Sequence, residues 1–101
     1  AVKSYGDMDI AYFLMQNGIQ YIFEYRSEID TRTSEHGQYH PDFYLPDYNL
    51  YIEYNELKSK QYLKSKEYVM NIYKSKGKKV IIMTDEDLND IGKCLCPLLG
   101  L

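Results

Sequence analysis

Two acids stand where strands ordinarily carry apolar or neutral side chains. Asp42 follows Pro41 at the head of one short extended run, and Glu53 lies inside a second, Leu50-Tyr51-Ile52-Glu53-Tyr54. The intervening Pro46-Asp47-Tyr48-Asn49 reads as a turn, and a hairpin closed there sets Asp42 directly across from Glu53. Opposed carboxylates repel one another, and a divalent cation held between them removes the repulsion. Oxygen-only ligands favour Mg²⁺ or Mn²⁺, with water and a substrate phosphate completing the shell. Spacing alone reads equally well as two solvated acids on an exposed sheet face, so both readings stand at this point.

A lysine supplies the second anomaly. The segment from about Lys60 to Lys76, stopped at Gly77, has helical periodicity, with Tyr62, Val69, Met70 and Tyr73 on its inward stripe and Lys66 as the remaining member. If this helix crosses the hairpin, the Lys66 ammonium lies near Asp42, Glu53 and a bound phosphate. There it would position or help deprotonate an attacking water and stabilise charge on the phosphorane. The alternative is a stem packed on the core with its head in water.

Charge is distributed unevenly. The net charge is -3, yet between Lys58 and Lys79 eight lysines face the single acid Glu67, a local balance of +7, while the remainder carries -10. Lys58, Lys60, Lys64, Lys74, Lys76 and Lys78 form a strip suited to a phosphate backbone, or else a solvated helix face. His40, beside Pro41-Asp42, reads as a phosphate contact or a half-exposed loop histidine. Tyr39, Tyr44, Tyr51 and Tyr54 read as base-stacking groups or cross-strand core pairs.

The elements that must position these groups follow from the pattern. Ser4 and Asp7 form a capping-box-like start to a helix that runs to about Asn17, with Gly18 beyond it. Met8, Ala11, Tyr12 and Met15 mark its buried stripe, widened by Ile10, Phe13 and Leu14. Ile19 to Tyr25 reads as a strand, residues 27–39 as a polar loop or a poorly ordered excursion between strands, and 42–45 and 50–54 as the hairpin strands. The helix from Lys60 is followed by the apolar strand 79–83 and a last helix from Asp85, capped by Thr84 and ended by Pro97. The order is α-β-β-β-α-β-α, an α/β fold in which three strands, a crossover helix and a fourth strand make a mixed sheet flanked by helices.

The 101 residues are 45% hydrophobic and include 12 tyrosines, enough for one compact domain, and no apolar run is long enough to cross a membrane. The absence of a starting Met points to a domain cut from a longer protein. Cys94 and Cys96 lack a second pair for a zinc site and read as idle thiols, and a chain this short without a disulfide framework is expected in an intracellular, reducing compartment.

His40-Pro41-Asp42-Phe43-Tyr44-Leu45-Pro46 followed by Tyr51-Ile52-Glu53-Tyr54 resembles the P-D…(D/E)-x-K hallmark of the PD-(D/E)XK nuclease superfamily. The likeness is to its small domains akin to very-short-patch repair endonucleases and helicase-associated nucleases. Lys3-Ser4-Tyr5-Gly6-Asp7 is similar to their K-S-x-G-E opening, Tyr21 to Tyr25 to their first strand, and Tyr73 to Ile82 to their helix end and fourth strand. The resemblance implies a restriction-endonuclease-like α-β-β-β-α-β core and a nuclease acting on DNA, with RNA left open. It further implies a metal held by Asp42, Glu53 and the Tyr54 carbonyl, with Asp7 reaching it through water from the first helix. Glu24 falls at a frequently acidic position. The hallmark lysine is replaced by Asn55, and in the resembling branch it has moved to the following helix, where Lys66 and Val69 are the two candidate positions. Cleavage of both strands would take two copies or sequential nicking, and a helicase or other domain is the expected attachment. The alternative is an eroded nuclease fold that binds nucleic acid or a protein partner without cutting.

Overall fold

The computed structural model describes residues 5–26, 29–34, 38–55 and 60–101, the backbone alone for 60–66. Helix α1 (Tyr5–Gln16) leads into β1 (Ile22–Phe23), the hairpin β2 (Phe43–Leu45) and β3 (Leu50–Asn55), helix α2 (Lys60–Ser75), β4 (Lys79–Thr84) and helix α3 (Ile91–Leu99). The sheet order is β1-β2-β3-β4, antiparallel between the first three strands and parallel between β3 and β4. This is the expected α/β architecture, a mixed sheet flanked by helices.

Alternation along the hairpin divides two kinds of core between the two faces of the sheet. Phe43, Leu45, Leu50 and Ile52 join Ile10, Leu14, Met83, Leu95 and Leu99 under α1 and α3. Tyr51 and Val80 join Val69 and Tyr73 of α2, together with Ile29 and Tyr39 from the long loop. Tyr25 stacks on Tyr44 at 4.5 Å and Tyr44 on Tyr51 at 4.7 Å, while Tyr73 meets Tyr51 edge-on at 4.9 Å. Each such pair contributes about 0.5–1.5 kcal/mol beyond its buried area.

The hairpin turns through a 3-10 turn, Pro46–Tyr48, and Asn49 then takes the left-handed conformation at φ 49°, which its short polar side chain tolerates. Gly18 and Gly77, at φ 68° and 72°, supply the same conformation after α1 and α2.

Four expectations are corrected. The buried side of α1 is Gly6, Asp7, Ile10, Ala11 and Leu14, while Met8, Tyr12 and Met15 face outward. The helix is apolar nearly all round, so periodicity did not select a face. Strand β1 is two residues rather than seven, because Glu24 enters the left-handed region at φ 53° and breaks the extended run. The last helix begins at Ile91 after a separate 3-10 turn (Asp87–Asp90), with Asp90 accepting from the Lys93 amide at 3.1 Å. Pro97 lies inside that helix rather than ending it. Finally, the loop is packed: Ile29, Thr31 and Tyr39 are buried. The Ser4 part of the capping box lies outside the described residues.

The Cys94 and Cys96 thiols are half-buried. Burial, with Asp87 nearby, pushes the Cys94 thiol up.

Candidate functional site

The hairpin register fixes the acid pair. Phe43 lies opposite Ile52, and one step further along the same register brings Asp42 to Glu53. Both continue the tyrosine-bearing face, Asp42 two residues before Tyr44 and Glu53 two after Tyr51. Glu53 is 5% exposed and Asp42 is half-buried.

Asp42 is held by backbone on both sides. Its Oδ2 accepts from the Tyr54 amide at 2.8 Å, and its carbonyl accepts from the Glu24 amide at 2.7 Å. Glu24 itself takes the left-handed conformation at φ 53°, which costs a non-glycine residue on the order of 1–3 kcal/mol.

Tyr39 joins the pair from the loop. Its hydroxyl lies well above the ordinary tyrosine range because burial, the charge of Glu53 and a hydrogen bond to Glu53, and then Asp42 and Tyr73, all oppose its ionisation. One side chain therefore senses both carboxylates. The loop is built to deliver it: the Tyr39 amide donates to Thr31 Oγ1 at 2.7 Å, and Gln38 Nε2 donates to the carbonyls of Ile29 at 2.7 Å and Tyr39 at 3.1 Å. Sequence reading placed Tyr39 among base-stacking groups or core pairs; it lies in the core cluster, and the contact with Glu53 was missed because its supports sit in a polar stretch without periodicity.

The other expected residues are distributed as follows. Asp7, 4% exposed, lies in the first turn of α1, next to Gly6, where the helix meets Tyr54 so closely that a Cβ on Gly6 would overlap the Tyr54 ring. The Tyr54 hydroxyl donates to Asp85. Among the described residues no group of three or more His, Cys, Asp or Glu side chains is arranged to hold a metal. His40 is exposed, two residues before Asp42. Asn55, at the third position of the hallmark, is 2% exposed, and Val69 is buried in the tyrosine cluster.

The basic strip is not gathered at the acids. Because α2 connects two parallel strands, its C-terminus returns to the end where Leu50 pairs with Lys79, while Glu53 pairs with Ile82 toward the other end. Lys74 and Lys76 are exposed there, and Lys78 Nζ donates to Asn49 Oδ1 at 3.2 Å. Lys66 falls one turn before Val69 in α2, toward the end of the sheet that carries the acids. The side chains of Lys60, Lys64 and Lys66, and all of Lys58, lie outside the described residues.

Two carboxylates on neighbouring strands, one oxygen of Asp42 fixed by an amide, fit a hard divalent cation that keeps most of its shell as water or phosphate. They lack the softer ligands and the full cage that zinc would take.

No protein-family model matches the chain, and no curated protein matches it. Among solved structures, it is similar to the homing endonuclease I-Bth0305I catalytic domain, with a TM-score of 0.67 and 24% identity over 97% of this chain and 93% of that one. The chain thus has the fold of a nuclease catalytic domain over nearly its whole length. Among the described residues no helix is long and apolar enough to cross a membrane.

Proposed function

We propose that this chain is a metal-dependent endonuclease of the PD-(D/E)XK superfamily that hydrolyses phosphodiester bonds in DNA, with Asp42 and Glu53 as the ligands of Mg²⁺ or Mn²⁺. The observation that carries the reading is the pairing of two shielded carboxylates at one end of β2 and β3, in a fold shared with a homing endonuclease catalytic domain. A bound ion would supply Lewis-acid polarisation of the phosphate and a water of lowered pKa. Asp42 presents its carboxylate in an orientation set by the Tyr54 amide, and Glu53 presents its own from a nearly water-free strand. Lys66 is the proposed cation for the attacking water and the developing phosphorane charge.

Calorimetric titration with Mn²⁺ tests this, repeated on Asp42→Ala and Glu53→Gln. The parent should bind and both variants should lose binding, with metal-dependent cleavage of duplex DNA falling roughly 10²-fold or more. In single turnover, Lys66→Met should slow cleavage while Mn²⁺ affinity stays at the parent value. A parent chain that binds no Mn²⁺ overturns the proposal.

One pair of observations favours a second reading. Asn55 is buried where the hallmark carries lysine, and Val69 occupies the alternative helix position. A fold eroded at both would bind nucleic acid through its lysines without cutting. It is the reading to adopt if DNA binds and Mn²⁺ does not.

A further inference from the structure

Glu53 lies between Tyr51 and Asn55 on its face of β3, both of them buried. Tyr39 reaches it from the loop, and it does not arrive by default. It follows a polar loop, its amide is tied to Thr31, its carbonyl is tied to Gln38, and the same Gln38 reaches back to Ile29. Thr31 also donates its own amide to Gln38 Oε1 at 3.3 Å, so the two limbs of the loop are laced together at the point where Tyr39 leaves it. The ring is then braced edge-on against Tyr73 at 5.9 Å, and Tyr73 against Tyr51, two residues before Glu53. A phenylalanine would fill this volume equally well. What the tyrosine adds is one hydroxyl, hydrogen-bonded to the Glu53 carboxylate.

An ionised carboxylate offers about four lone-pair directions on two oxygens. With one direction taken by a fixed donor, the group loses its freedom to pivot, and its remaining directions are set before any ligand arrives. Donors to a ligating carboxylate act in this way at metal sites, and losing one typically costs 10- to 100-fold in affinity or activity.

We propose that Tyr39 is the positioning residue of Glu53: its hydroxyl, delivered by the Thr31–Gln38 clamp, locks the carboxylate in the orientation in which it shares a cation with Asp42. The proposal rests on the metal-binding reading given above and assigns to the loop before β2 the task of preparing that site.

The test is Mn²⁺ titration calorimetry on the whole chain, with the parent, Tyr39→Phe, Gln38→Ala and Tyr73→Phe side by side, and thermal melting of each without metal. Tyr39→Phe should weaken Mn²⁺ binding about tenfold or more while melting near the parent temperature. In single turnover its Mn²⁺ dependence should shift to higher concentration, and the rate at saturating Mn²⁺ should recover most of the parent value. Gln38→Ala, which leaves the hydroxyl in place and loosens its support, should move affinity in the same direction by less. Tyr73→Phe removes a hydroxyl from the same cluster and should leave Mn²⁺ affinity alone. If the parent binds Mn²⁺ and Tyr39→Phe binds it equally well, or if Tyr73→Phe weakens it just as much, positioning by Tyr39 is wrong and the metal reading survives. If the parent binds no Mn²⁺, both fall.

Discussion

The two faces of one hairpin hold opposite kinds of core. Toward α1 and α3 the strands present Phe43, Leu45, Leu50 and Ile52, packed among Ile10, Leu14, Met83, Leu95 and Leu99. Toward α2 they present Tyr44 and Tyr51 between Asp42 and Glu53. Side chains such as Leu45, Leu50 and Ile52 offer a carboxylate no donor, and burying an unpaired one among them would cost several kcal/mol. A tyrosine face is also well packed, yet each ring ends in a hydroxyl that serves as donor or acceptor. The two faces divide the labour: one supplies stability, and the other accommodates the carboxylates among its hydroxyls.

The largest expected contrast is in stability. Ile52→Ala should cost about 2–5 kcal/mol in urea unfolding, because it removes a fully buried side chain and leaves a cavity among aliphatic neighbours that cannot refill it. Tyr51→Phe, on the adjacent residue and opposite face, keeps the stack and the edge contact and loses a hydroxyl, for about 0.5–1.5 kcal/mol. Equal losses would mean that the tyrosine face carries as much of the stability through its hydroxyls as the aliphatic one does through its bulk.

A smaller effect is expected where α1 meets the strand end. Alanine is the better helix former, yet Gly6→Ala would drive a methyl into the Tyr54 ring. The net cost should be about 1–3 kcal/mol, the usual price of overpacking. In a Tyr54→Leu background the same substitution should cost less, and a double-mutant cycle on melting reads the difference. Purely additive losses would show that Gly6 serves the helix itself rather than this approach.

The acid pair was legible because hairpin register is fixed by the turn, and Pro46 to Asn49 named the turn. Strands β3 and β4, helix α2 and its glycine stop were legible for similarly local reasons. What escaped depended on distant partners. In α1, Tyr5, Met8, Tyr12 and Met15 are as apolar as the residues that are buried. The buried face is the one that meets distant partners, Ile10 and Leu14 in the sheet cluster and Gly6 against Tyr54, 48 residues away in the sequence. A glycine in the first turn of a helix was the available signal. The loop concealed its buried members because they are held by side-chain-to-backbone bonds across seven to nine residues, which leave no periodic trace. Glu24 gave no warning of its left-handed turn, since no glycine or asparagine stands among Tyr21 to Arg26 to signal one.

The smallest expected effect separates the two ends of the tyrosine face. Three residue steps part the Leu50–Lys79 pair from the Glu53–Ile82 pair, about 10 Å at the usual strand rise of roughly 3.3 Å per residue. Lys74 and Lys76 lie beyond the first of these pairs, exposed, while Lys78 is engaged by Asn49 and is therefore a poorer test of free charge. At this distance and exposure, solvent and salt screen the lysines from the acids. Replacing Lys74 and Lys76 together by Gln should change stability by less than about 0.5 kcal/mol and leave Mn²⁺ affinity at the parent value. DNA affinity, measured across a salt series, should fall alike for unrelated sequences, with the slope of log K on log salt reduced by about 0.7–0.9 for each phosphate contact removed. An unchanged slope makes these lysines a solvated helix end and moves the nucleic-acid path toward the N-terminal half of α2. A fall in Mn²⁺ affinity would instead mean that the ends are coupled through the tyrosine stack, and that the face acts as one site rather than as a cutting end and a holding end.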